Sequence, residues 1–475
     1  MDGLNIIFVA IYQIIVVGVL IQLVMDNRQP AKTMAWALVI WFVPVAGIVF
    51  YLFFGVNTRK ARLVSQRSLD QLTRRSMLEF VEQKDLHLPE AHRQLIDLFA
   101  NEDFSLPFRT SQIRIYTTGY DFFPALLQAI GSARHHIHID MYIFADDALG
   151  RLVSDALTDK VREGVEVRVV YDDVGCWNVP RDFFEHLREE GVEVVPFMPV
   201  RFPQFTSKVN YRNHRKLVVI DGTRGFIGGM NIALRYVKGT GTQAWRDTII
   251  EVTGNGVFGL QRAFLVDWYF ADRTQISNRQ YYPKDDHPVA TANCIVQTVT
   301  SGPDTRYPEI MQGYVQMILS ARRYVYIETP YFLPTEPVMF ALKTAAVAGV
   351  DVRILVPMRS DARLVELAGR SYLREAAQSG VKVSLYTAGF LHSKLIVCDD
   401  TVCSCGSTNV DFRSFENNFE SNIFIYDETV TRQLREVFLT DEGYAMRWED
   451  LPSRVAPKFH KRLLESLVRL MSPLM

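Results

Sequence analysis

Two stretches of this chain carry residues suited to chemistry on a phosphate. The first, Tyr211 to Asn231, reads YRNHRKLVVIDGTRGFIGGMN and sets His214, Lys216 and Asp221 at His-x-Lys-x-x-x-x-Asp spacing. The second, Leu391 to Asn409, reads LHSKLIVCDDTVCSCGSTN and repeats the spacing with His392, Lys394 and Asp399. Each then reaches a glycine-containing turn that ends in Asn: Gly228, Gly229 and Asn231 in one, Gly406, Ser407 and Asn409 in the other. Leu217 to Ile220 and Leu395 to Val397 are short, β-branched apolar runs of the kind found in buried strands. Alternation along a strand puts each His and its Lys on one face. A Lys there supplies a point charge, an Asn amide supplies hydrogen-bond donors, and an imidazole can attack or carry a proton. A lone His-x-Lys on a strand is more often structural. Two copies with the same downstream turn make the structural reading the less favoured one.

The elements that must position these residues form an internal repeat. Ser132-Ala133-Arg134 leads into Ile137 to Phe144, and Ser320-Ala321-Arg322 leads into Val325 to Phe332. Gly164 to Val170 (GVEVRVV) is echoed by Gly349 to Leu355 (GVDVRIL), and Gly191 to Val194 by Gly380 to Val383. Each half reads strand, helix, strand, helix, strand, then the His motif. Alternating strands and helices imply an α/β fold with a largely parallel or mixed sheet under helices. The expected architecture is an N-terminal transmembrane helical hairpin and two tandem α/β/α halves, related by a pseudo-twofold axis, with the motifs at their seam. The expected segments are a membrane anchor (1–56), a charged helical connector (57–108), a first half (109–280), a second half (281–450) and a basic amphipathic tail (451–475).

The pattern resembles the phospholipase D superfamily, whose members bring two His-Lys-Asp motifs into one active site. Beyond the motifs, Arg212-Asn213-His214-Arg215-Lys216, Gly228-Gly229-Met230-Asn231-Ile232, Trp245-Arg246-Asp247, Glu328-Thr329-Pro330-Tyr331-Phe332 and Asn418-Phe419-Glu420 resemble its bacterial cardiolipin synthase branch. The resemblance covers nearly the whole chain. It implies transfer of a phosphatidyl group from one phosphatidylglycerol to another, giving cardiolipin and glycerol through a covalent histidine intermediate, with no metal or other cofactor. It names His214 as nucleophile and His392 as acid and base. It also implies an acidic partner for each His downstream of the Asn, which falls on Asp247 for the first half and Glu420 for the second. Lys216, Lys394, Asn231 and Asn409 would neutralise charge on the phosphate oxygens. Asp221 and Asp399 belong to the motif and count among the candidate catalytic residues, although tying their loops is the reading their position favours. Arg212, Asn213 and Arg215 could reach a second phosphate or serve structure.

Bulk properties narrow the alternatives. With 475 residues, 48% of them hydrophobic, the chain holds more than one ordinary domain. Its 52 Lys and Arg against 53 Asp and Glu give a net charge of -1, which argues against nucleic acid as a partner. Five scattered cysteines, Cys403-Ser404-Cys405 among them, give neither a disulfide framework nor a zinc spacing. His135, His136 and His138 form a cluster, but their counterparts in the second half are Arg323, Tyr324 and Tyr326, which argues against a metal there.

Leu4 to Met25 and Met34 to Phe54 are apolar runs of bilayer-spanning length, about 20 residues, joined by a short loop. Arg59, Lys60, Arg62, Arg67, Arg74 and Arg75 follow the second run, so the positive-inside rule puts the catalytic halves in the cytoplasm, on a multi-pass protein of the bacterial inner membrane. Pro44 and Gly47 fall in the middle of the second run, which predicts a kink there or a partly interfacial position. In the tail, Phe459, Leu463, Leu467, Leu470 and Met471 share a helical face, a pattern that suits a membrane surface or docking on the protein. The expected partners are the phospholipid and the membrane, with a homodimer as one assembly the sequence allows. The competing activities are a hydrolase that uses water as acceptor, a membrane-tethered nuclease and an inactive scaffold. Retention of every motif residue speaks against the scaffold.

Overall fold

The computed structural model describes residues 2–25, 30–43, 45–51, 55, 86–103, 105–200, 210–241, 244–283, 294–305 and 307–474. Its two main sheets repeat one topology. In the first half, β1 (Gln112–Tyr116), β2 (His136–Met141), β3 (Glu166–Asp172), β4 (Glu193–Phe197), β5 (Lys216–Ile220), β6 (Arg224–Gly228) and β7 (Ile249–Thr253) lie in the order β1-β7-β6-β5-β2-β3-β4. In the second half, β8 (Ile295–Ser301), β9 (Tyr324–Glu328), β10 (Asp351–Pro357), β11 (Lys382–Tyr386), β12 (Leu395–Cys398), β13 (Val402–Gly406) and β14 (Glu420–Tyr426) lie in the order β8-β14-β13-β12-β9-β10-β11. In each sheet three strands run parallel and the rest pair antiparallel. The second sheet gains two edge strands, Phe108–Arg109 and Ala445–Arg447.

Period-two burial on both faces explains the layering. Leu217 and Val219 of β5 face a central core, and Val218 and Ile220 face an outer one. The central core packs α3 (Val257–Asp272) and α5 (Glu428–Glu442) between the sheets, with Leu260, Phe264, Trp268, Leu434 and Phe438 buried. The outer cores lie under the crossover helices, one on each sheet. Because β5 is antiparallel to β2, with Lys216 opposite Met141, the motif starts at the C-terminal ends of the parallel strands. That is where open α/β sheets hold ligands.

The connector differs from the expectation. Its described part, residues 86–103 with 105–108, is built into the second half. Leu95, Ile96 and Phe99 of the helix Arg93–Asp103 are buried with Ile310, Tyr314 and Phe424. The cause is an apolar face at helical spacing, which outweighs the surrounding charge. Residues 56–85, with the arginines used for topology, lie outside the described residues.

At the N-terminus, α1 (Asp2–Met25) packs against α2 (Pro30–Phe42), burying Val16, Leu23, Trp36 and Ile40. The first segment of the second run ends at Phe42 and helix resumes at Ala46–Phe50, so the run is broken as expected, but Gly47 lies inside the resumed helix and not at the break. No helix among the described residues is long and apolar enough to cross a membrane; of α1 the side chains from Ala10 on are described. At the other end, α6 (Phe459–Arg469) docks on α4 (Arg363–Gln378) through charge: Glu465 accepts from Arg374 at 2.6 Å, and Arg469 pairs with Glu375 and covers the Tyr372 ring at 4.0 Å. Its leucines Leu463 and Leu467 face outward, as does Leu470 just past its end, with 71% of its surface exposed. All five cysteines are buried and free.

Candidate active site

The two motif histidines open into one cavity of about 330 Å³ at the seam, lined also by Asn231, Asn409, Tyr142 and Tyr331. Two short parallel pairings between the halves bring this about. Ala244–Arg246 pairs with Gly389–Leu391, and the His392 N–H donates to the Arg246 carbonyl at 2.7 Å. Asn213 bridges to Phe419, and the His214 N–H donates to the Phe419 carbonyl at 2.9 Å. In each pairing the next residue of the opposite half is an acid. Asp247 therefore lies beside His392, with its Oδ2 2.7 Å from Nδ1. Glu420 lies beside His214, with both oxygens 3.0 Å from Nδ1. The sequence reading gave Asp247 to the first half and Glu420 to the second, and the structure exchanges them. Each half keeps its histidine and lends its acid to the other, so neither half holds a complete site.

The acids are themselves held. Asp247 accepts from the Thr248 N–H at 2.7 Å, and Glu420 accepts from Asn418 at 3.2 Å and from the Ser407 hydroxyl. Burial pushes both carboxyls up. Lys394 and His392 around Asp247, and His214 and Lys216 around Glu420, overcome this and leave both below the usual carboxylate range. A carboxylate only accepts, so each Nδ1 donates to it and each Nε2 keeps its lone pair. Burial, opposed by Glu420, lowers His214 to about 4; burial, reinforced by Lys394 and opposed by Asp247, lowers His392 to about 3. Both imidazoles are therefore neutral at pH 7.

The two lysines are fully buried beneath the histidines. Lys216 donates to the His214 carbonyl at 2.5 Å and lies over the Tyr142 ring at 5.2 Å. Lys394 Nζ lies 2.9 Å from His392 Nδ1 and 3.9 Å from Asp247. Burial lowers Lys216 to about 7, and lowers Lys394 as well. Asn231 accepts from the Ile143 N–H at 2.9 Å and donates to the Tyr236 hydroxyl at 2.8 Å. Asn409 Oδ1 is buried with no hydrogen-bond partner among the described residues.

Other sequence candidates fall into place as structure. Asp221 and Asp399 stand at the far ends of the motif strands. Seven residues of extended chain, roughly 20 Å, separate each from its His. Asp221, at φ 53°, accepts from the backbone N–H groups of Arg134, His135 and His136 at 2.8, 2.8 and 2.9 Å. Asp399, also at φ 53°, accepts from Arg322, Arg323 and Tyr324 at 2.7, 2.9 and 2.8 Å. Both lock the strand entry rather than the reacting phosphate, so their place among the catalytic candidates is withdrawn. Arg212 pairs with Asp172 at 3.4 Å, Asn213 donates to Asp140 at 2.8 Å and Arg215 pairs with Asp267. These bonds brace the seam, and Arg212 also lines the cavity wall. His136 and His138 bond the amide of Gln261 at 3.0 and 2.9 Å, and His138 stacks on Phe264.

Sequence reasoning missed roles for Tyr142, Tyr236, Trp245 and Tyr331, whose rings surround the two histidines at 4.9 to 6.5 Å between centroids. The repeat carried the signal for two of them, since Tyr142 and Tyr331 each follow the first strand of an echoed strand pair. Arg235 and Arg413, also in the cavity wall, were missed too.

The family model described as cardiolipin synthase, phospholipase D-like domain, matches residues 126–251 and 314–441. One described as phospholipase D-nuclease N-terminal matches residues 14–55. The cardiolipin synthase of Alkalihalophilus pseudofirmus is 39% identical over 469 residues, 97% of this chain and 92% of that one. Cardiolipin synthase 2 of Bacillus cereus is 39% identical over 464 residues, 95% and 88%. In fold, the chain is similar to the crystal structure of a phosphatidylserine synthase from Haemophilus influenzae, with TM-score 0.62 at 15% identity over 81% of this chain and 99% of that one. With full-length relatives, a family model over both halves and two motif histidines in one cavity, the chain belongs to the cardiolipin synthase family of phospholipase D-like enzymes.

Proposed function

We propose that the chain joins two molecules of phosphatidylglycerol, giving cardiolipin and glycerol. In the first step His214 Nε2 attacks phosphorus, the bond from phosphorus to the glycerol oxygen breaks, and His392 gives that oxygen a proton. The phosphatidyl group is then on His214. In the second step the hydroxyl of another phosphatidylglycerol gives its proton to His392, its oxygen attacks phosphorus, and the bond to His214 breaks. The anionic phosphate of the bound donor raises the proton affinity of the nearby imidazole, so His392 takes up a proton from solvent on Nε2 as the donor binds and enters the first step as the imidazolium. Lys216, Lys394, Asn231 and Asn409 stabilise the equatorial oxygens. The observation that carries this reading is the exchange of acids: a carboxylate on each Nδ1 supports one tautomer for both histidines and leaves one Nε2 to attack phosphorus and the other to carry the proton.

The same reading includes a membrane anchor at residues 1–56, with the halves on the cytoplasmic side. The apolar, charge-free sequence of both N-terminal runs supports it. The outward leucines of α6 give the catalytic body a second contact with lipid. The test is to incubate purified protein with labelled phosphatidylglycerol and separate the lipids. Cardiolipin with glycerol in equal amount is expected; phosphatidic acid alone makes the chain a hydrolase.

A further inference from the structure

We infer that Arg235 binds the phosphate that does not react, the phosphodiester of the acceptor phosphatidylglycerol. This rests on the transfer reading above. Arg235 stands four residues after Asn231, and Arg413 four residues after Asn409, so the two are counterparts in the repeat. They sit on short turns of helix, Arg235–Lys238 and Phe412–Glu416, and both half-buried side chains line the cavity.

The arginines nearby are neutralised: Arg212 by Asp172, Arg215 by Asp267 and Arg246 by Asp441. Arg235 and Arg413 make no ion pair among the described residues. Arg235 lies over the Trp245 ring at 5.3 Å, and Arg413 donates to the Asn210 side chain and carbonyl at 3.3 Å. Such contacts orient a guanidinium without pairing it; Arg413 has the buried carboxyl of Asp411 close by. A partly desolvated guanidinium free of acid is a site for a bidentate phosphate.

The reacting phosphate already has two lysines and two asparagines. The acceptor brings a second phosphodiester into the cavity, one glycerol away from the first. The cation that meets it must be on the side where the alcohol enters, which is the side of the acid and base. Trp245 marks that side, since its ring is 5.3 Å from His392 and carries Arg235 on its face. Arg413 is tied instead to Asn210, beside the segment that bears His214. A neutral alcohol then needs only His392, whereas a phospholipid acceptor gains from Arg235 as well. That difference selects lipid over water and free glycerol.

The experiment uses full-length protein in mixed micelles of labelled phosphatidylglycerol with butanol added. Cardiolipin and phosphatidylbutanol form from the same donor step, so their ratio reports the acceptor step alone. R235Q should lower cardiolipin formation about 10- to 100-fold, the range of one charged hydrogen-bonding partner, and leave phosphatidylbutanol within about twofold. R235K should recover part of the loss, and R413Q should keep the wild-type ratio. Equal loss of both products in R235Q, no loss of either, or a selective loss in R413Q instead overturns the assignment. A wild-type chain that makes phosphatidylbutanol but no cardiolipin contradicts the transfer reading itself.

Discussion

His214 and His392 each take orientation from a carboxylate of the other half, so substitutions at the acids should act crosswise. Glu420→Gln leaves His214 with a partner that no longer fixes its tautomer, and Asp247→Asn does the same to His392. Each should cut turnover roughly 10²- to 10⁴-fold. The two variants part at the first step: Asp247→Asn should still form adduct from a substrate whose leaving group needs no proton, and Glu420→Gln should form it slowly. The opposite pattern in rapid-quench labelling would restore the within-half pairing. The pH profile follows from the buried groups, read with a donor whose leaving group needs no proton, so that the protonation of His392 does not enter. His214, near 4, loses its lone pair as pH falls through that value, so kcat/KM should decline on the acid side there. Lys216, near 7, loses its charge as pH rises, so kcat/KM should decline above about pH 7. A bound phosphodiester favours charged Lys216, so the alkaline limb of kcat should lie higher. An alkaline limb in kcat/KM that begins only near the ordinary lysine range would contradict this.

At the scale of elements, the glycine turns hold the acids in place. A Cβ on Gly229 would lie 2.1 Å from Asp247 Oδ1, whereas its counterpart Ser407 faces Glu420 with room for a hydroxyl that bonds it. Gly229→Ala should displace Asp247, cost about 1–3 kcal/mol of stability by overpacking, and lower activity at least as far as Asp247→Asn. Thermal unfolding with a lipid assay checks both, and wild-type activity would show that Asp247 moves freely. The motifs, their strands and their asparagines were legible because spacing and period-two patterning are local. The exchange of acids was not, because it depends on Ala244–Arg246 meeting Gly389–Leu391, two three-residue strands with no periodicity to read. The tail was half legible. Its leucines share a face as expected, but the docking through Arg374, Glu375, Glu465 and Arg469 is a matter of charge placement between distant segments. Leu463→Ser, Leu467→Ser and Leu470→Ser together should leave activity on short-chain monomeric phosphatidylglycerol intact and weaken activity on vesicles several-fold. Loss on both substrates would make α6 part of the site instead.

Across the whole molecule, duplication explains most of what the sequence revealed. Two copies of one seven-strand topology meet at the seam, and a motif that is ambiguous once becomes specific when repeated. The repeat also explains what was misplaced. Among the described residues the segment at Arg93–Asp103 has no counterpart in the other half, so nothing in the pattern linked it to the second core. Shared construction predicts that neither half is active alone, since each lacks the acid for its own histidine. The direct test of the account is the covalent intermediate. Full-length protein should be quenched in cold denaturant at neutral to mildly alkaline pH during turnover of phosphatidylglycerol labelled at phosphorus, and its peptides mapped by mass spectrometry under the same conditions. A phosphatidyl group on a peptide containing His214, absent from His214→Ala and formed and consumed at the rate of turnover, is the predicted result. Cardiolipin made at full rate with no adduct on either histidine would contradict the two-step transfer.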